Sequence, residues 1–145
     1  MGVYLREVMD SMAPTWLKTV FALASKLIHA IDPEWASEHK DYVVQCSQMQ
    51  STNGDYCEAH VDNKNMCWAY GVTLGTFTGG DLVYNDGFGT PIAHNMFHTL
   101  TRFEGRREHY VAPFVGTRYS IIWYKKYDRR WKKPWPIGDG VMANV

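Results

Sequence analysis

Residues 109–124 have the sequence HYVAPFVGTRYSIIWY, and this stretch does most to decide the predicted fold. Its second part, 118–124, is the clearest strand of the chain, because aromatic and β-branched side chains are concentrated there. A shorter strand is predicted at 108–112, and Pro113 and Gly116 separate the two. Arg118 opens the second strand, where it requires an anionic partner, since an unpaired buried charge is costly.

Short strands are also predicted across the middle of the chain. They cover residues 42–46, 56–61, 68–73, 81–84, 90–94 and 96–103, with turns at 51–55, 78–80 and 85–87. Residues 2–31 have helical periodicity, which Asp32-Pro33 ends. Many short strands indicate an α+β, mainly β protein, and the two-sheet jelly roll is a natural candidate, with the N-terminal helices packed outside one sheet.

The length of 145 residues predicts one domain. It would consist of a helical support at 1–40, a jelly-roll core at 41–127 and a basic tail rich in Trp and Pro at 128–145. Three cysteines at irregular spacing indicate free thiols in a reducing compartment. No apolar run approaches the roughly 20 residues that span a bilayer. We therefore expect a soluble cytoplasmic or nuclear protein with no membrane partner.

The net charge is zero, but the basic side chains are concentrated towards the end of the chain. Residues 102–133 contain ten basic and three acidic side chains, a local charge of +7. Such a segment can attract a polyanion, and its interleaved aromatic residues suit nucleic acid. The alternative is a solvated surface whose Trp residues pack on the domain.

A metal site is predicted at His60-Val61-Asp62 together with His109. Side chains two residues apart in a strand point to the same side, so His60 and Asp62 can face one point. A histidine from a neighbouring strand would complete a facial set of two imidazoles and one carboxylate. That set suits non-haem Fe(II), because the open positions can take a co-substrate and O₂. The His-x-Asp motif alone is weak, since an isolated histidine is more often structural.

Arg118 strengthens this interpretation. A dicarboxylate bound to the metal at one end would place its other carboxylate near this guanidinium, which can bind it in bidentate fashion. Ser120 lies on the same side of the strand and can add a hydrogen bond. The alternative for Arg118 is a structural salt bridge.

The ordered set of motifs resembles the Fe(II)/2-oxoglutarate oxygenases, whose core is a double-stranded β-helix. The resemblance runs from about residue 42 to residue 124. It is carried by His60-x-Asp62, Phe77-Thr78-Gly79-Gly80-Asp81-Leu82, Phe103-Glu104-Gly105, His109, Pro113-Phe114-x-Gly116 and Arg118-Tyr119-Ser120. It implies an enzyme that uses Fe(II), 2-oxoglutarate and O₂ to hydroxylate a C–H bond. His60, Asp62 and His109 would bind the iron, and Arg118 and Ser120 would bind 2-oxoglutarate.

For the substrate, we expect a pyrimidine methyl in nucleic acid first and a protein side chain such as proline second. The Gly79-Gly80-x-Leu82 motif and the arginine at position 118 are similar to the TET/JBP-type base hydroxylases, which implies a pyrimidine methyl in nucleic acid. Residues 53–56 resemble the prolyl hydroxylase turn, which implies a protein side chain, although Ser51 stands about where those enzymes have a tyrosine. An inactive jelly-roll binding module is the alternative from another class.

Three further residues are predicted to contact substrate. Asn65 follows the metal motif closely, and Trp68 and Tyr70 could stack on a flat ring. The alternatives are ordinary loop polarity for Asn65 and core packing for the two aromatic residues.

Overall fold

Two long antiparallel strands pass through the whole structure. The computed structural model describes residues 2–5, 15–85, 88–127 and 137. In this part of the chain there are two helices, α1 (Thr15–Ile31) and α2 (Pro33–Glu38). The strands are β1 (Gly2–Leu5), β2 (Val43–His60), β3 (Ala69–Gly79), β4 (Leu82–Asn85), β5 (Pro91–His94), β6 (Thr101–Phe103) and β7 (His109–Tyr124). The two longest, β2 and β7, pair with each other along their full length.

Strands β2 and β7 each contribute to two layers. The second half of β7 lies between the first half of β2 and β3, and β1 and β6 complete this layer. The first half of β7 lies between the end of β2 and β4, which in turn pairs with β5. Side chains from both layers line one shared cavity. The strands therefore form a two-layered antiparallel roll.

Gly116 lies where β7 passes from one layer to the other. Its φ is 120°, and a Cβ there would lie 2.3 Å from the carbonyl oxygen of Thr76 and 2.7 Å from the Cα of Phe77. On the other side of β7, the register of β2 shifts between Ser51 and Asp55, where the Ser51 hydroxyl accepts a hydrogen bond from the Asp55 amide. The close approach of β3 therefore requires glycine at this bend.

The two helices cover the face of the sheet that lies opposite the cavity. The indole N–H of Trp123 in β7 donates to the carbonyl of Ala24 in α1 at 3.0 Å. Asp32 caps α2 by accepting a hydrogen bond from the amide of Trp35, and it accepts another from the Tyr70 hydroxyl. Neither described helix is long and apolar enough to cross a membrane. The buried side chains of this core are Phe21, Ala24, Ile28, Trp35, Ala36, Tyr42, Val44, Cys67, Tyr70, Leu100 and Trp123.

The mainly β architecture with helices is confirmed. The helical prediction is wrong for residues 2–5, which form β1 and pair with residues 45–48 of β2. Residues 2–5 pair with the edge of β2, which satisfies backbone hydrogen-bonding groups of both segments. The periodicity of the local sequence does not reveal that this edge is available, because β2 lies far along the chain. The predicted helical residues 6–14 lie outside the described residues, as does the predicted tail 128–145 apart from Ile137.

Two further predictions differ from the structure in detail. The turn predicted at 51–55 is a bulge inside one continuous strand, because the register shift lets β2 bend without ending. Of the strand predicted at 96–103, only Thr101–Phe103 pairs with β3 as a ladder. The two strands predicted at 108–112 and 118–124 are one strand, β7, which bends at Gly116.

The bend gives a prediction about stability. Gly116→Ala should lower the free energy of unfolding by more than Gly89→Ala, as measured by urea denaturation. Both glycines have positive φ, 120° and 93°, so each variant carries backbone strain of about 1–3 kcal/mol. Nothing lies within 4 Å of a Cβ at Gly89, whereas one at Gly116 overlaps the β3 backbone. Equal losses in the two variants would show that β3 yields easily and that the bend is not tightly packed.

Candidate functional site

The three predicted metal ligands meet at one end of the cavity. His60 ends β2, His109 begins β7, and the two are direct cross-strand partners. Asp62 follows two residues after His60. The Nε2 atoms of His60 and His109 lie 3.9 Å from Asp62 Oδ1 and Oδ2, respectively. One potential ligand atom from each side chain lies within 4.8 Å of the others, so the group has the geometry to hold a metal ion.

Hydrogen bonds fix the orientation of both imidazoles. The Nδ1 atom of His60 lies 2.7 Å from the carbonyl oxygen of Glu58, and that of His109 lies 2.8 Å from the carbonyl oxygen of Arg107. A carbonyl oxygen can only accept, so each Nδ1 carries a proton, and Nε2 is the nitrogen of each ring that can bind a metal. Histidines that bind metals are commonly held in this way. The two nitrogens available for a metal are therefore the Nε2 atoms near Asp62.

Asp62 is held by the turn that precedes His109. Its amide donates to the carbonyl of Gly105 at 2.8 Å, and the Asn65 amide group donates to its Oδ2 at 3.3 Å. A Cβ on Gly105 would lie only 2.7 Å from Oδ2. The side chains of His60 and Asp62 are 43% and 39% exposed, against 7% for His109. The ligand group therefore lies at the mouth of the cavity, with His109 on its inner side.

Arg118 is a buried cation without a carboxylate partner among the described residues. Its residue is 5% exposed, and its Nη1 donates to the Ser120 hydroxyl at 2.7 Å. Its Nε has no hydrogen-bond partner, and none of the ion pairs in the described part of the chain includes it. Burial lowers the pKa of this guanidinium, which nonetheless stays charged. A buried guanidinium in this condition fits a small anion.

The ligands and Arg118 line the same cavity, which has a volume of about 610 Å³. Side chains of β7 alternate between the two faces of the strand, and every second one from residue 118 to residue 124 faces into the cavity. The apolar part of the lining is Met49, Val61, Leu82, Met96, Phe103, Val111 and Ile122. Apolar side chains therefore form a large part of the wall of the cavity that the ligand group and Arg118 share.

The structure brings most predicted site residues together, but not all. His60, Asp62, Asn65, His109, Arg118 and Ser120 line the cavity. Trp68 and Tyr70 do not: Tyr70 belongs to the core under the helices, and Trp68 packs against that core with Arg102 over its ring at 4.7 Å. Their predicted contact with substrate gains no support from this position.

Gly105 has a role that its place in the Phe103-Glu104-Gly105 motif does not reveal. Its carbonyl and its missing side chain both define the position of Asp62. Its location four residues before His109 was the available signal. Met49 and Cys57 of β2 also line the cavity. Strand alternation counted back from His60 would assign the even-numbered residues of β2 to the cavity. The bulges of β2 shift this alternation, and the sequence does not reveal them.

No protein-family model and no curated protein matches this sequence. Solved structures do match. A prolyl-4-hydroxylase from Pseudomonas putida aligns with a TM-score of 0.59 and 17% identity, covering 87% of this chain and 72% of that one. An oxidoreductase of the 2OG-Fe(II) oxygenase family from Burkholderia pseudomallei aligns with a TM-score of 0.48 and 18% identity, covering 57% of this chain. This chain spans 42% of the length of the Burkholderia protein.

The strand topology and the match at a TM-score of 0.59 decide the fold. The chain is a double-stranded β-helix. In this double-stranded β-helix, the ligand group consists of two imidazoles, which present Nε2, and one carboxylate. This is a donor set that suits non-haem Fe(II). Arg118 lines the same cavity, and its buried guanidinium fits a carboxylate.

The ligand assignment predicts metal binding that depends on Asp62. In an anaerobic titration with Co(II), followed by visible absorption, Asp62→Ala should raise the dissociation constant by more than about 100-fold. Even the loss of a hydrogen bond to a ligand costs about 10–100-fold in affinity. Asp55→Ala is the matched control, because Asp55 is an exposed carboxylate of β2 outside the cavity lining. Equal affinities in the two variants would remove Asp62 from the ligand set.

Proposed function

We propose that this protein is an Fe(II)- and 2-oxoglutarate-dependent dioxygenase that hydroxylates a C–H bond. The observation that carries the proposal is the presence of two complementary parts in one cavity. One is the His60, Asp62 and His109 group, and the other is the buried Arg118, which has no carboxylate partner among the described residues. A metal site alone would not call for a buried cation, and a structural arginine would have an acidic partner.

The roles of the residues follow from their positions. His60, Asp62 and His109 would hold Fe(II) through two Nε2 atoms and one carboxylate oxygen. Arg118 would bind the distal carboxylate of 2-oxoglutarate, and Ser120, already bonded to Arg118, would orient the guanidinium and add a hydroxyl. When bound, iron and 2-oxoglutarate supply the activation of O₂ for hydroxylation, with succinate and CO₂ as the other products.

The apolar lining has a part in this chemistry. Leu82 and Val111 come from one layer, and Ile122 and Phe103 come from the other. Side chains of this kind exclude water from the space between the ligands and Arg118. In such a space the attraction between a guanidinium and a carboxylate is stronger than it is in water. The cavity therefore favours binding of the dianionic co-substrate in one orientation.

For the substrate, we place a protein side chain such as proline first and a pyrimidine methyl in nucleic acid second. The prolyl-4-hydroxylase with the similar fold supports this order. The two rings expected to stack on a base, Trp68 and Tyr70, are on the helix side of the sheet. The basic tail, which supported nucleic acid, lies mostly outside the described residues.

The alternative of an inactive binding module is not favoured, because all three ligand positions carry metal-binding side chains and both imidazoles present Nε2 to Asp62.

An intracellular location with a reducing environment is also part of the proposal. It is supported by the three cysteines, which are all free thiols. Burial raises the pKa of Cys46 to about 11 and that of Cys67 to about 12, so both stay protonated.

Arg118→Met tests the co-substrate assignment. Methionine fills a similar volume without a charge, so the variant should be at least as stable as the parent protein in thermal unfolding without ligand. The KM for 2-oxoglutarate should rise roughly 10- to 150-fold, since a hydrogen bond to a charged group contributes about 1.5–3 kcal/mol. Ser120→Ala should give a smaller rise. An unchanged KM in Arg118→Met would mean that another group binds the carboxylate.

Succinate release separates the two substrate classes. Proline-containing peptides should stimulate succinate formation in the presence of Fe(II), ascorbate and 2-oxoglutarate, whereas DNA that contains 5-methylpyrimidines should not. The DNA arm is run at about 50 mM and 200 mM salt, because phosphate contacts weaken steeply over that range. Stimulation by DNA that is lost at the higher salt would reverse the order of the two substrate classes.

A further inference from the structure

A buried ion pair lies directly beside the ligand group and takes no part in the chemistry described so far. Arg106 donates from Nε to Glu104 Oε1 at 2.7 Å and from Nη2 to Oε2 at 2.6 Å, and its backbone amide also donates to Oε1 at 3.2 Å. The two side chains are 8% and 3% exposed. A buried pair of this kind adds little net stability, because the loss of hydration offsets the attraction. Its position therefore calls for another explanation.

The pair joins the two segments that carry the ligands. From the turn 104–107, the carbonyl of Gly105 accepts from the Asp62 amide and the carbonyl of Arg107 accepts from His109 Nδ1. The third guanidinium nitrogen of Arg106 reaches across and donates to the carbonyl of Met66 at 3.2 Å. Met66 ends the loop that begins at Asp62. The Gly105 carbonyl and the Arg106 guanidinium thus attach the two ends of that loop to one turn.

Little space is left for the turn to move. A Cβ on Gly105 would lie 2.7 Å from Asp62 Oδ2 and 3.2 Å from Asn65 Nδ2. The turn therefore packs closely against the ligand carboxylate, and a displacement of the turn would move that carboxylate or release it. The same displacement would alter the hydrogen bond that orients His109.

We propose that Glu104 and Arg106 are positioning residues of the metal site: their ion pair holds the turn 104–107 against the loop 62–66 and so sets the separation of Asp62 from His109. The inference rests on the proposed function, because it assumes that these two side chains bind a metal. It assigns the pair to metal affinity rather than to stability of the fold.

The decisive variant replaces both charges together. Glu104→Leu combined with Arg106→Met removes the pair without leaving an unpaired buried charge, a change that is often neutral or stabilising. Thermal unfolding and Co(II) binding to the metal-free protein are measured on the same samples. We expect an unchanged or higher Tm and a dissociation constant for Co(II) about 10- to 100-fold higher than in the parent protein. A folded double variant that binds Co(II) within twofold of the parent protein overturns the inference.

A second pair of variants decides the question if the double variant does not fold. Arg106→Lys keeps the charge but cannot reach both Glu104 oxygens and the Met66 carbonyl with one nitrogen, so Co(II) affinity should fall. Arg102→Lys is the matched control: the same exchange on β6, where the guanidinium lies over the Trp68 ring and not in the turn. Equal affinities in these two variants overturn the inference. Absence of Co(II) binding by the parent protein overturns the proposed function itself.

Discussion

The pairing of His60 with His109 is the constraint on which the site depends. The two residues are opposite each other at one end of the β2–β7 ladder, and their ring centroids are 4.4 Å apart. A slip of the ladder by one residue would turn one of the two side chains to the opposite face and separate the imidazoles. The ligand geometry is thus set by strand register over the full length of β2, including the bulge near Ser51 and the bend at Gly116.

Much of the site could be predicted from the sequence, because several of its residues are close together in the chain. Strand alternation correctly predicts that Arg118 and Ser120 share a face, and the ordered motifs supply the link to His109. Alternation also predicted that Asp62 faces the same point as His60, but β2 ends at His60, and hydrogen bonds with Gly105 and Asn65 hold Asp62 there instead. The same alternation shows that Trp68 and Tyr70 share a face, but not which face. That choice is made by the helices, since the Tyr70 hydroxyl bonds to Asp32. Segment 2–5 and the role of Gly105 were missed for a related reason: both depend on contacts with residues far along the chain.

Buried charges lie at two places near the candidate site. Arg118 lines the cavity beside Ser120 with its Nε unbonded, and Glu104 and Arg106 are paired beside the loop 62–66. Replacing such groups by apolar side chains commonly maintains or raises stability. Natural proteins keep destabilising groups of this kind where binding or catalysis requires them. Buried charge is therefore found both in the cavity wall, at Arg118, and in the turn that holds the loop 62–66, at Glu104 and Arg106.

The alternation of side chains along β7 explains how one short chain can bury charged groups and remain folded. Ile121 and Trp123 face the helices and pack in the core, while Arg118, Ser120 and Ile122 face the cavity. Trp123 is 1% exposed and is also tied to α1 by a hydrogen bond. Burial of a large aromatic side chain stabilises a protein by about 3 kcal/mol, which is of the same order as the desolvation of one polar group. Side chains on opposite faces of a strand pack independently. The free energy gained by packing on the helix side can therefore offset the desolvation cost on the cavity side without altering the geometry of the ligands.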